Sequence, residues 1–442
     1  MNQLIEKIKR LWKKAFIRDV AVLQTQAIAS TLLSIVASVV FARVLGPEKY
    51  GAYSLIFAFA GLLGIFINVG ISQASLTLLP EAYAKKDKEE IKNISTYFFK
   101  IGFLMAGTVG LISIIFAPLI SDFFYHDSQI GSLARWILLA NIITLSFVFL
   151  CTCLQAIRKI KYLAAVEVIN NSSQKILPII FVVFGFGLAG LVWGYFLNAL
   201  LFLIFSVFAY SILAKGNSCL AGFKEIIGNF EKIKLKKYFN FGFLIAVDKN
   251  LGSLMSLLPI FLLGVFAPAQ EVGFFKIALA YITIPNFLLG PISRILNVQL
   301  PKSKTCGFDL LKKHFFQTSL YGGLISAFLV IPFIILAPWL IKLFYGSAYQ
   351  ASVNLVYYLA ILSVCSGFGI GLGSLYMTLN KVKISIILNI CQTISMALLI
   401  LFLVKIYSPL ITVVWVLIIS GILFLALNFY ILKNILKKYE KG

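Results

Sequence analysis

Five ionisable residues stand inside stretches of chain that are otherwise apolar: Lys175, Lys249 and Arg294, with Glu167 and Asp248. A charge at the centre of a bilayer costs about 2.5–3.5 kcal/mol on insertion scales, so residues of this kind face protein or water and mark functional positions. Asp248, Lys249 and Asn250 are consecutive in FGFLIAVDKNLGSLMSLLPIFLLGVF. Glu167, Asn170, Asn171, Gln174, Lys175 and Pro178 recur at steps of three and four, which places them on one face of a helix. Asn286, Gly290, Arg294 and Asn297 follow the same rule, as do Lys249, Ser253 and Ser256. Weaker polar stripes run through Gln26, Ser30, Ser34 and Ser38, and through Asn389, Gln392 and Ser395.

Three cations face two acids, so one positive charge is left for a ligand to compensate. We expect Lys249, Arg294 and Lys175 to bind the ligand. Asp248 and Glu167 are expected to balance charge or to hold a coupling ion. Asn170, Gln174, Asn286 and Asn297 would form polar walls. Adjacent residues of a helix point about 100° apart, so Asp248 is expected against a neighbouring helix while Lys249 faces the cavity. The serines are read as groups that let helices pack closely and hydrogen-bond.

Other chemistries find little support. Cys151, Cys153, Cys219, Cys306, Cys365 and Cys391 have no histidine at a metal-site spacing, since only His126 and His314 occur. They are read as packing residues. No phosphate-binding glycine loop or paired-carboxylate motif appears, so neither a catalytic residue, a metal nor a cofactor is expected. The longest external segment, 121–131, carries only Asp122, His126 and Asp127 as groups for catalysis.

The elements that must position these residues follow from composition. The chain has 442 residues, 60% apolar and 12% charged, too few charges for the surface of a soluble protein of this length. About 20 apolar residues span the hydrocarbon core. This predicts twelve spans: 19–43, 52–72, 96–120, 132–154, 163–184, 188–213, 239–265, 274–299, 315–341, 353–378, 384–405 and 410–432. The fold expected is all-α and polytopic.

The net charge of +23 first suggests a nucleic-acid partner. Its distribution gives a better explanation. The N-terminal segment, every second connecting segment and the C-terminus hold 30 of the 39 Lys and Arg residues. Under the positive-inside rule both termini are cytoplasmic in a multi-pass protein of the cell membrane, and no nucleic acid is needed. Residues 1–18, with Leu4, Ile5, Ile8, Leu11, Trp12 and Phe16 along one side, are expected as a basic amphipathic segment at the cytoplasmic interface.

The chain also resembles itself. GAYSLIFA from Gly51 matches GFFKIALA from Gly273, 222 residues on. LQAIRKIKY from Leu154 matches YMTLNKVKI from Tyr376 at the same offset, and FAPLISDFFY (116–125) matches LAPWLIKLFY (336–345) at an offset of 220. Two six-helix bundles are therefore expected, at 19–213 and 239–436, joined by a cytoplasmic linker at 214–238. An even number of helices per repeat inserts both copies in the same orientation. The copies are then related by an axis along the membrane normal, around a central cavity.

Residues 43–95 run from RVLGPEKYGAYSLIF through INVGISQ to KKDKEEIKNIS. This stretch resembles the polysaccharide transporters of the oligosaccharide flippase family, in the superfamily that also holds multidrug extruders and lipid II flippases. The resemblance implies a flippase that carries polyprenyl-pyrophosphate-linked oligosaccharide across the cell membrane by alternating access, feeding O-antigen lipopolysaccharide, capsule or a related glycan. Its partners would be that lipid-linked oligosaccharide, membrane lipid and a coupling ion, proton or sodium. The pyrophosphate would then supply the missing counter-charge, with Arg294 holding two oxygens at once. Two alternatives stand beside it: an ion-coupled drug or lipid antiporter of the same superfamily, whose cavity should be acidic and aromatic, and a membrane glycan polymerase or ligase.

Overall fold

The computed structural model describes residues 15–67, 71–233, 235–287, 289–305 and 307–440. Most of the expected amphipathic segment at residues 1–18 lies outside the described residues. Those described are helical, with no strand among them, as expected of a chain whose backbone polar groups must be satisfied inside lipid. The helices form two compact units.

The first unit comprises Met1–Val44 and Phe59–Asn250. Helix α1 (Ala15–Ile67) turns at Gly46, whose φ of 74° lies in the left-handed region. It is followed by α2 (Ile71–Ala84), α3 (Lys88–Met105), a π-turn at Ala106–Gly110, and α4 (Leu111–Tyr125). Then come α5 (Ser128–Ala156), α6 (Ile160–Phe181), a π-turn at Val182–Phe186, α7 (Gly187–Lys215), the short α8 (Phe223–Gly228), and α9 (Leu235–Phe266), which continues past Asn250.

Local chemistry explains several of these joints. Pro118 in α4 has no N–H, so a carbonyl one turn earlier loses its helical partner. Arg135 of α5 supplies the donors, reaching Ile114 O at 2.8 Å and Ile115 O at 2.9 Å. One end of the unit is closed by buried Ile91, Ile94, Tyr97, Phe98, Phe149 and Tyr210. The 214–238 segment is folded onto this end. Leu220, Ala221, Ile226, Ile233 and Tyr238 enter the same core, and the Tyr210 hydroxyl donates to Ala221 O at 2.6 Å.

The second unit comprises Leu45–Ala58 and Leu251–Gly442. After the end of α9 come α10 (Ala269–Phe287), α11 (Gly290–Thr305), α12 (Phe308–Phe344), a 3₁₀ turn at Ser347–Tyr349, and α13 (Ser352–Phe368). The chain then forms α14 (Leu372–Thr378), α15 (Val382–Leu403) and α16 (Pro409–Glu440).

Within this unit the two copies of the GAYSLIFA-like motif touch each other reciprocally. A Cβ on Gly51 would lie 1.6 Å from Ala269 O and 2.9 Å from Gly273 N. A Cβ on Gly273 would lie 2.3 Å from Pro47 O and 3.3 Å from Gly51 N. The offset of 222 relates Gly51 to Gly273 and also Pro47 to Ala269. Residue i meets the mate of j, and j meets the mate of i, as across a local two-fold axis.

Nine described stretches are long and apolar enough to cross a membrane. Two of them, Gln24–Ile67 and Ile160–Lys215, each overlap a pair of the expected spans. The eighth expected span, 274–299, needs correction. It is not one helix: α10 ends at Phe287 and α11 begins at Gly290. Pro285 and Pro291 flank the break, and two prolines one and a half turns apart remove two backbone donors from what would be one helical ladder. The stripe Asn286, Gly290, Arg294 and Asn297 therefore spans two helices instead of marking one continuous face.

Candidate functional site

The polar stripe of α6 is where the expected site residues come together. Its helix packs on α7 at one close contact. A Cβ on Gly194 would lie 2.6 Å from both N and Cα of Pro178, so only glycine lets the backbones meet this closely there. That approach sets α7 side chains against the stripe. The Lys175 ammonium donates to the Tyr195 hydroxyl at 3.2 Å and lies 5.6 Å from the centroid of the same ring. One turn away, Asn198 Nδ2 donates to Asn170 Oδ1 at 3.1 Å. Both amides are buried, Asn170 8% and Asn198 3% exposed.

On its other side the stripe reaches α1, where Asn171 Nδ2 donates to Ser30 Oγ at 3.2 Å. Ser34 spends its hydroxyl on its own helix, donating to Ser30 O at 2.8 Å. Glu167 and Gln174 are half-buried on α6. Glu167 stands eight residues from Lys175, about 12 Å along the axis, too far to neutralise it. Among the described residues Lys175 has no carboxylate within 4 Å. It is a half-buried ammonium with one neutral hydroxyl acceptor, and it has N–H donors to spare. Such a group is able to donate to an anion.

The second expected cluster separates differently. Lys249 is exposed on α9. Its neighbour Asn250 donates to Ile65 O at 3.4 Å and so ties α9 to α1. Asp248, Arg294, Asn286 and Asn297 lie in helices, and their side chains fall outside the described residues. Among the described residues no group of three His, Cys, Asp or Glu side chains converges on a possible metal.

Sequence reasoning missed Tyr195 and Asn198. Their signal was present: Gly190 and Gly194 form a Gly-x₃-Gly pattern, the spacing that brings two membrane helices together. The polar residues just after it face the contact.

The family described as polysaccharide biosynthesis protein matches residues 16–296, well over half of the chain. The chain belongs to the polysaccharide biosynthesis protein family. No curated protein matches the sequence. Among solved structures, an inward-facing multidrug resistance MATE family transporter of the MOP superfamily aligns with a TM-score of 0.74 at 16% identity, covering 93% of this chain and 96% of that one. A MOP superfamily transporter from Pyrococcus furiosus Vc1, described as having a binding pocket of reverse polarity that suggests a different function, gives 0.65 at 16% identity, with 97% of each chain covered. An outward-facing MATE family transporter gives 0.61 at 16% identity over 97% of each. These likenesses establish the fold. With nine described stretches long and apolar enough to cross a membrane, this member of the polysaccharide biosynthesis protein family is a multi-pass membrane protein with the fold of those transporters.

Proposed function

We propose that the protein is a flippase that moves polyprenyl-pyrophosphate-linked oligosaccharide from the cytoplasmic to the outer leaflet of the cell membrane by alternating access. One observation carries this reading: Lys175 sits half-buried in a membrane helix with Tyr195 as its acceptor and, among the described residues, no carboxylate within 4 Å. A ligand that brings its own negative charge resolves the imbalance, and in a family named for polysaccharide biosynthesis a sugar pyrophosphate has that charge. Lys249 and Arg294 are proposed as further cations for the same group. Asp248 and Glu167 would serve charge balance or coupling to protons or sodium.

The test is binding of lipid-linked oligosaccharide to purified variants, with melting temperature as the folding control. Losing a charge-assisted hydrogen bond costs about 1.5–3 kcal/mol, so Lys175→Ala should bind roughly ten- to a hundredfold more weakly. Lys175→Arg should keep part of the affinity. Parental binding by a folded Lys175→Ala protein removes the cationic site.

Both termini are proposed to be cytoplasmic. Cysteines at the exposed positions Ser128 and Ser347 should then react with an impermeant reagent on intact cells, and one at exposed Lys232 should not. Labelling at 232 reverses the orientation.

A second reading, an ion-coupled antiporter, draws support from Glu167, a half-buried acid with no cation within 4 Å among the described residues. In that case Glu167→Gln abolishes the pH or sodium dependence of transport. In a flippase without proton coupling at this residue, the variant keeps its pH profile.

A further inference from the structure

Away from the α6–α7 site, the lysine-rich end of the first unit contains a cavity of about 1290 Å³ where α3, the end of α7 and α8 meet. Lys88, Lys92, Lys215, Lys224 and Lys232 line it, against two acids, Glu89 and Glu225. Glu225 is already engaged, accepting from Gly222 N at 3.1 Å. None of the five ammonium groups has a described carboxylate within 4 Å, whereas Lys85, just outside the cavity, is paired with Glu81 at 2.6 Å. Three positive charges are therefore left in excess in a concave space.

The cavity is built, not improvised from loose chain. Its floor is the Tyr210 hydroxyl bonded to Ala221 O at 2.6 Å. Its wall is held by buried Asn229, which donates to Asn93 Oδ1 at 2.8 Å and Thr96 Oγ1 at 3.2 Å. Lys100 of α3 donates to Phe230 O and fixes the same wall.

Exposed apolar side chains neighbour the lining residues along the chain. Ile212, next to lining residue Ser211, is 57% exposed, and Ile227, next to lining residue Gly228, is 64% exposed. A soluble anion has no use for them, while an acyl chain covers them. We propose that this cavity binds the headgroup of an anionic membrane lipid carrying more than one phosphate, with its acyl chains lying over Ile212 and Ile227. The phosphates neutralise the excess lysine charge, and the lipid ties the 214–238 segment to the membrane surface. This site is separate from the one around Lys175, and its test does not depend on what the protein transports.

The experiment is equilibrium binding to the purified full-length protein by native mass spectrometry, with cardiolipin, phosphatidylcholine and inorganic pyrophosphate as probes. A basic residue near a membrane surface contributes about fivefold in affinity for anionic lipid, so Lys92→Gln/Lys224→Gln/Lys232→Gln should weaken cardiolipin binding roughly a hundredfold. The control Lys85→Gln/Lys86→Gln should bind as the parent does. Glu89→Gln, which removes an opposing charge, should bind several-fold tighter. Phosphatidylcholine should not be retained. Equal cardiolipin binding by the triple variant and the parent overturns the proposal. Pyrophosphate binding as tight as cardiolipin assigns the pocket to a soluble anion and overturns the lipid.

Discussion

The helix pair α6–α7 and its duplicate α15–α16 carry the same register with different chemistry. At the offset of 222, Glu167 becomes Asn389, Asn170 becomes Gln392, and Asn198 becomes Ser420. Lys175 becomes Ala397 and its partner Tyr195 becomes Leu417. In the first pair the polar groups bond across helices, as Asn198 does to Asn170 and Lys175 to Tyr195. In the second they turn back on their own helix: Thr393 Oγ1 donates to Asn389 O at 2.7 Å, Ser395 Oγ to Cys391 O, and Ser420 Oγ to Leu417 O at 3.2 Å. One copy keeps a charged, cross-linked interface; the other is neutral and packs as apolar helices do. Both members of a contacting pair differ together, Lys with Tyr in one copy and Ala with Leu in the other. The ammonium–phenol pair occurs in one half of a duplicated frame.

That contrast can be broken at its strongest point by moving the cation. Ala397→Lys places an ammonium opposite Leu417, with no hydroxyl to receive it. The expected cost is about 2.5–3.5 kcal/mol, read as a lower melting temperature of the purified protein. Adding Leu417→Tyr to that variant should return part of the loss by recreating the ammonium–phenol pair, worth about 0.5–1.5 kcal/mol. If the double variant melts no higher than the single one, the two helix pairs do not share a geometry. The smallest effect separates the amides. Asn198→Ala leaves buried Asn170 unpaired and should cost about 1–2 kcal/mol. Ser420→Ala removes only a bond within one helix and should stay within about 0.5 kcal/mol. Equal losses at the two positions would mean the interhelical amide pair is worth no more than a hydroxyl turned on its own backbone.

What the sequence showed depended on contrast. Glu167, Asn170 and Lys175 stand out because each interrupts an apolar background at helical spacing, and the structure gathers Asn170 and Lys175 at one interface with α7. Tyr195 and Asn198 lie in a helix whose apolar residues mask them, and only the glycines beside them show that another backbone comes close. The break between Phe287 and Gly290 was hidden for a different reason. Hydropathy sums side chains, and Pro285 and Pro291 barely lower that sum while removing two hydrogen bonds. The 214–238 segment reads as a cytoplasmic linker because its lysines dominate the count. Leu220, Ile226, Ile233 and Tyr238 are spaced among them and fold it onto the end of the bundle. The all-helical, many-span character followed from composition alone.

The reciprocal contact between Gly51 and Gly273 has a consequence for how such a chain can change over time. If the two halves arose from one ancestral sequence present twice, a single substitution at this position would have put two new methyl groups into the same crowded spot, one from each copy. Since duplication, each copy mutates alone, yet it still meets the other's backbone: a Cβ on either side runs into a carbonyl of its counterpart. The α6–α7 and α15–α16 pairs were free to specialise because each contacts its own half. At Gly51 and Gly273 the two copies still share one history, because the only space available to either is the space the other leaves.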